Sequence, residues 1–473
     1  MNKQQNFDPV WEHVEVRREA YEGLADRVFD TPEICYEEER SVAEHRKMLQ
    51  AEGFRITEAP AGIPTAIIGE AGQGGPVIAI LGEYDALPEL GQESGVAEPR
   101  PVETGGHGHG CGHNLLGSAA LAAAAAVKDF LAESGIEGRV RYYGCPAEEG
   151  GAAKVFMVRA GLFDDVDAAI TWHPASYTAV FEAKSLANAR IDFTFHGRAA
   201  HAAAQPELGR SALDAVELMN VGVNYLREHM PDEARVHYAY LDAGGIAPNV
   251  VQAKATVRQL VRAAKLSDLR SLIARVTKIG EGAALMTETR MQTQMASAVS
   301  NLLPNRPLEE LMQDQIERLG PPEFDAEDRA FAEAIRATLT PENIAADFTR
   351  IGMEPDMEKP LADFVAPLDR VNTGGNGSTD VGDVSWAVPL VQAWVATCAI
   401  GTPFHSWQLT AHGKTGIAHK GMIQAAKIMA ATAADLYRRP EILAAAKEVH
   451  RAQIAREPYV CPMPDDVLPP VGA

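Results

Sequence analysis

Apolar positions along this chain follow two periods, and the points where one gives way to the other divide it into elements. Residues 8–51 space their apolar side chains at helical intervals among many charges, with a break at Asp30-Thr31-Pro32-Glu33, which predicts two helices lying as surface cover. Short runs rich in Ile and Val at 65–68 and 76–81, separated by a turn-forming stretch containing AGQGG, predict neighbouring buried strands. Strands are also predicted at 139–143 and 167–171, and the alanine run at 115–127 between the pairs is a strong helix former. Three of these strands run into polar residues: Glu83 and Asp85 after the second, Glu148-Glu149 after the third, His173 after the fourth. Strands alternating with helices, with polar groups gathered at their C-terminal ends, predict an α/β sheet whose site lies along one edge.

Near Leu186 the texture changes. Residues 189–197 alternate in the strand manner, 210–228 have helical spacing, 235–243 and 250–262 read as further strands and 267–285 as a second helix. Two helices with about four strands form an inserted α+β unit of ordinary domain size. From about Leu302 the earlier alternation resumes, with helices at 307–319, 326–339 and 418–438 and a buried strand at 391–399. Residues 341–376 show no clear period, and the Pro-rich stretch after Glu457 predicts a tail that is either held by contact or frayed. A chain of 473 residues exceeds the size at which single cores stop growing, so two domains are expected.

The balance of 43 basic and 65 acidic residues, a formal charge of −22, argues against nucleic acid or an anionic membrane as partner. A small anion could still bind at a local arginine. The N-terminal stretch has no apolar core of the signal-peptide kind and the apolar runs are broken too early to span a bilayer, so a cytoplasmic protein is expected. Five cysteines, Cys35, Cys111, Cys145, Cys398 and Cys461, are odd in number and widely spaced, with no C-x-x-C. They suggest neither a disulfide framework nor a dithiol redox site.

Residues 106–114, GHGHGCGHN, carry the most chemistry per residue. Cys111 and His113 are two apart, so an extended backbone would turn both to one side, and the following helix N-terminus would favour a thiolate. One metal needs more donors than these two. Glu148-Glu149, His173 and the loop ending in His405 sit at other strand ends of the same expected sheet. Three imidazoles, a thiolate and a carboxylate could hold two divalent ions if one group bridges. Glu149 is assigned to metal and Glu148 to a general base, because a carboxylate beside an acidified water can take its proton and pass it to a leaving amine.

The strings CGHN, PAEEGG, TWHP and the later histidine, with GRAAHAA opening the insertion, resemble the M20 metallopeptidase and amidohydrolase family. LGEYDALP, YGCPAEEGG, PNVVQA, EGAALMTET and STDVGDVSW are most similar to the branch acting on p-aminobenzoyl-glutamate, and the likeness runs over nearly the whole chain. The resemblance implies a two-domain α/β protein: a catalytic domain with a central mixed sheet (1–186 and 301–473) interrupted by an α+β lid and dimerisation domain (187–300). It implies two divalent ions, Zn²⁺ or Mn²⁺, on Cys111, His113, Glu149, His173 and His405, with Glu148 as base. Asn114 stands where many relatives have Asp and is not counted as a ligand. Either Glu83 or Asp85 would orient a ligand.

By the same resemblance, His201 would stabilise the oxyanion from a neighbouring subunit, and Asn249 and Arg262 would bind the substrate carboxylate. Arg258, four residues earlier on the same strand face, competes with Arg262. Asp380 and Asp383 would either orient metal or substrate or make a turn. The expected reaction is hydrolysis of the amide between an aromatic acyl group and an amino acid, p-aminobenzoyl-glutamate foremost. Other N-acyl or indole-acetyl amino acids and dipeptides are the alternatives. A homodimer through the lid is expected, with a companion subunit or a non-catalytic subunit role as the competing implication.

Overall fold

The computed structural model describes residues 8–181, 183–369 and 377–471. Among the described residues, eleven strands form two sheets. The larger contains β1 (Arg55–Glu58), β2 (Ile67–Gln73), β3 (Val77–Glu83), β4 (Gly138–Cys145), β5 (Ala168–Ala175), β6 (Ala179–Val180) and β11 (Leu390–Ala396), in the order β1-β2-β4-β3-β5-β11-β6. Strands β4, β3, β5 and β11 run parallel, while β1, β2 and β6 are antiparallel additions at the edges. This is the mixed α/β sheet that the alternation of runs predicts. The four parallel strands deliver their C-terminal ends to one edge, as the spacing of polar residues requires. Two edge strands escape the pattern for plain reasons: β1 is largely exposed and β6 is two residues long.

Helix His113–Ser134 lies against β3 and against helix Gly416–Arg438. It extends beyond the expected 115–127 at both ends, and Gly135, at φ 68°, ends it. It is the one described helix long and apolar enough to cross a membrane, but most of it is buried inside the protein, where an all-round apolar helix belongs. The expectation that apolar runs are too short is therefore corrected in length. Small residues matter here: a Cβ on Gly117 would lie 2.5 Å from the Glu83 carbonyl oxygen, so glycine lets the helix approach the strand that carries site residues.

The second sheet uses β7 (Ala187–His196), β8 (Arg235–Asp242), β9 (Lys254–Ala263) and β10 (Arg290–Val299), all antiparallel in the order β10-β7-β9-β8. Helices Ala212–Leu226 and Leu266–Thr287 pack on it, in the positions their spacing predicts. The strand expected over 250–262 begins only at Lys254, because residues before it form a loop. The aperiodic stretch hides helix Pro341–Arg350, which opens with Pro at its first position and a capping box between Thr340 and Asn343; residues 370–376 of that stretch lie outside the described residues. The tail is held by contact: Arg159 donates to the carbonyls of Pro464 and Val467.

Asp383 is buried at the join between β10 and the helix Val381–Ala387. It accepts from Ser300 N and Oγ at 2.8 and 2.7 Å and from the Tyr459 hydroxyl at 2.8 Å, which is a structural clamp and not a turn. Burial outweighs these donors and pushes its carboxyl up to about 7. A raised carboxyl favours folding while protonated, so this contribution is present at low pH and is lost as pH rises from the unfolded value near 3.8 through about 7. Thermal unfolding followed between pH 4.5 and 8 should show Asp383→Asn losing this descending slope; an unchanged slope would assign it elsewhere.

Candidate metal centre and substrate pocket

The chain turns sharply wherever it delivers a donor. Gly112, at φ 78°, sits between Cys111 and His113, and a Cβ there would lie 2.9 Å from Pro174, so the loop can close on the end of β5 that carries His173. Ala147 and His405 hold left-handed backbones at φ 55° and 56°, a conformation that costs a non-glycine residue and persists only where its surroundings enforce it. Glu38 accepts the Ala147 N–H at 2.8 Å, and Gly110 accepts the His405 N–H at 2.9 Å.

These turns bring all five expected donors together. Cys111, His113 and His173 offer atoms within 4.8 Å of one another, as do Cys111, Glu149 and His405, so Cys111 belongs to both of these groups; a third, Glu83, His113 and Glu148, meets the same limit. His113 Nδ1 lies 2.9 Å from Asp85 Oδ1, and His173 Nδ1 lies 2.8 Å from the Pro174 carbonyl oxygen. Each ring therefore has its Nδ1 engaged and turns Nε2 inward; His173 Nε2 is 3.5 Å from Cys111 Sγ. His405 Nε2 lies 3.4 Å from Glu149 Oε2. The buried atoms His113 Nε2 and Glu149 Oε1 have no hydrogen-bond partner, as expected of donors kept for a cation. Two soft or borderline sites sharing a thiolate fit this set.

Electrostatics point the same way. Burial first, then the His113 charge, lowers His173 to about 4, so it is a neutral imidazole with a free lone pair at neutral pH. Burial first, then Glu149, pushes the Cys111 thiol well above its ordinary value, against the expectation from the helix N-terminus. A cation in contact with the sulfur would reverse that.

Asp85 holds His113 at Nδ1, and its other oxygen accepts the Glu149 N–H at 2.9 Å, while Glu83 Oε2 lies 3.3 Å from His113 Nε2. Glu83 also forms a buried triad with Lys154 and Asp380. Lys154 Nζ is 2.7 Å from a carboxylate oxygen of each, and Asp380 accepts the Lys154 backbone N–H at 3.0 Å. Lys154 escapes sequence reasoning because one lysine in a short helix carries no pattern. Glu148 faces this triad; burial first, then Glu83, Asp380 and Glu149, hold its carboxyl well above the usual range, an environment that favours holding a proton. Asn114 donates to the carbonyls of Gly413 and Ala25 at 3.0 and 3.4 Å, away from the donors. His109, in the same loop, turns instead to the Val28 carbonyl at 3.2 Å.

The donors open into a cavity of about 430 Å³ whose lining includes Cys111, Glu148, Glu149, His173, Asp380 and His405. One wall is aromatic: Trp394 stacks with Tyr177 at 5.7 Å and with Phe181 at 5.2 Å and meets Phe404 edge-on at 5.8 Å, while Phe404 lies 5.6 Å from His173. Arg190, Arg262 and Arg350 also line it. Of the competing pair on β9, Arg258 is consumed by a two-point pair with Asp192 at 2.6 and 2.9 Å, whereas Arg262 reaches the cavity and donates to Ser378 Oγ at 3.0 Å. His201 and Asn249 do not line it: both are exposed, and His201 Nδ1 accepts from Ala203 N and Ala204 N at 3.2 and 3.1 Å.

The sequence pattern of Peptidase family M20/M25/M40 matches residues 79–340, a stretch that begins in β3 and contains four of the five donors. The chain belongs to that family. Among its M20 relatives is one of the subunits of p-aminobenzoyl-glutamate hydrolase from Escherichia coli (strain K12), 48% identical over 96% of this chain and 97% of that one. Xaa-Arg dipeptidase of Mus musculus is 27% identical over 94% of this chain and 92% of its own. The M20 fold is shared with the crystal structure of an aminobenzoyl-glutamate utilization protein from Klebsiella pneumoniae, with TM-score 0.59 and 16% identity over 91% of this chain and all of that one.

Proposed function

We propose that this chain is a metal-dependent amidohydrolase that cleaves the amide between an aromatic acyl group and an amino acid with a free carboxylate, p-aminobenzoyl-glutamate giving p-aminobenzoate and glutamate. The observation that carries this reading is one cavity lined by four of the five donors, Cys111, Glu149, His173 and His405, together with the Glu148 carboxyl, an aromatic wall and guanidinium groups. The 48% identical relative named for that substrate supports it.

Two divalent ions, zinc or manganese, on Cys111, His113, Glu149, His173 and His405 would polarise the amide carbonyl and acidify a water. Glu148 takes the proton of the attacking water and returns it to the amide nitrogen as the bond to the amino acid breaks. The wall of Tyr177, Phe181, Trp394 and Phe404 receives the acyl ring by stacking. Arg262 takes a carboxylate by charge-assisted hydrogen bonds. Asp85 and the Pro174 carbonyl keep His113 and His173 in register.

Residues 187–300 act as a lid and 1–186 with 301–473 as the catalytic domain. The lid pairs two copies, a role supported by exposed apolar residues on helix Ala212–Leu226 (Leu218, Val221, Tyr225) and on β8, an edge strand (Tyr238, Tyr240, Leu241). His201 and Asn249 would then serve the neighbouring copy's cavity, His201 holding the carbonyl oxygen as it gains charge. The five cysteines are free, in keeping with a cytoplasmic protein.

The test is hydrolysis by the purified chain with added Mn²⁺ or Zn²⁺. It should release p-aminobenzoate, with acetyl-glutamate at least about tenfold poorer in kcat/KM because it leaves the aromatic wall unfilled. Equal use of both would remove the aromatic assignment. The second reading, a chain that works only with a companion subunit, draws on the relative's being part of a multi-subunit hydrolase and on His201 and Asn249 lying off the cavity. It predicts no turnover by the chain alone.

A further inference from the structure

The inner face of β7 and β9 presents three arginines in sequence, and only one of them is neutralised. Asp192 and Arg258 are register partners and form the two-point pair already described. Two positions along β7, Arg190 sits opposite Leu260 on one side and Ser297 of β10 on the other, and two further Asn188 sits opposite Arg262. Period two puts Asn188, Arg190 and Asp192 on one face, and both Arg190 and Arg262 reach the cavity. Arg262 has the neutral Ser378 hydroxyl, and Arg350 has Asp347 at 3.9 Å. Arg190 makes no hydrogen bond or ion pair with any described residue. Its guanidinium lies beside the Glu148-Glu149-Gly150 turn, with Nη1 3.4 Å from where a Cβ on Gly150 would stand. Burial first, then Arg190, lowers the Arg262 pKa, so the two cations feel one another with no anion between them. Two unneutralised guanidiniums on one half-buried face call for a ligand with two negative groups.

We propose that Arg190 is a specificity residue that receives a second carboxylate of the leaving amino acid, so that the favoured substrates are amides of dicarboxylic amino acids and not of neutral or cationic ones. This rests on the amidohydrolase reading above. It goes beyond it in naming which half of the substrate is discriminated and by what.

The experiment compares p-aminobenzoyl-glutamate with p-aminobenzoyl-glutamine, which differ by one charge at nearly constant shape. The parent chain should prefer the glutamate conjugate by about 100-fold in kcat/KM, the scale of one charge-assisted hydrogen-bonded group. In Arg190→Gln that preference should fall to within about threefold, while Arg190→Lys, which keeps the charge, should retain part of it and show that the site still folds. Equal use of both conjugates by the parent, or an equal loss on both in Arg190→Gln, would overturn the proposal and leave the amidohydrolase reading intact. If neither conjugate is hydrolysed, that reading fails, and calorimetric binding to the Glu148→Gln chain decides on Arg190. Binding of the glutamate conjugate alone, abolished by adding Arg190→Gln, supports its role; equal binding of both conjugates overturns it.

Discussion

Glu148→Gln should lower kcat by about 10³-fold, the middle of the range for removing a positioned proton carrier, while metal content and KM stay near those of the parent chain. The substitution keeps the shape and removes only the capacity to exchange a proton. Glu148 lines the cavity beside Glu149 and stands outside both Cys111-centred donor groups, grouping instead with Glu83 and His113, and burial first, then the carboxylates of Glu83, Asp380 and Glu149, favours its holding a proton. Steady-state kinetics with metal analysis of the same preparation separate the outcomes. Lost activity with lost metal would make Glu148 a ligand, and retained activity would move the base elsewhere.

Cys111→Ala should remove both ions together, because its sulfur is common to the two donor groups that hold the five expected ligands. Metal content should fall from about two ions per chain to well under one, with activity falling by at least about 10³-fold. Asp85→Asn should be milder, about 10- to 100-fold in metal affinity, since it disturbs the orientation of His113 and leaves the donors in place. Loss of a single ion in Cys111→Ala would show the thiolate to be terminal and not shared.

How much of this was legible in the sequence depends on the range of the interaction. Glu149 and His173 are legible because their short strings sit at the C-terminal ends of parallel strands, which gather together, while Cys111 and His113 open a helix and His405 lies in the loop after β11, each marked by its own short string. Glu83 and Asp85 cannot be separated that way: both stand at the end of β3 and both touch the His113 ring, at opposite nitrogens, and only the Lys154 triad sets Glu83 apart. Arg258 and Arg262 share a strand face, and the choice between them is made by Asp192, 66 residues away on the neighbouring strand. The aromatic wall is assembled from β5, β11 and the loops beyond them, so no local period announces it. Arg190 is silent for the same reason. The Leu186 change of texture reflects a real change of sheet, since β7 pairs only within the second one.

The proposed hydrolysis depends on two ions held side by side among Cys111, His113, Glu149, His173 and His405. Anomalous diffraction from crystals of the chain grown with Zn²⁺ or Mn²⁺, collected at the metal's absorption edge, tests it most directly. Two peaks about 3.5–4 Å apart, both in contact with Cys111 Sγ, are the predicted result. A single peak, or peaks away from these five side chains, would contradict it.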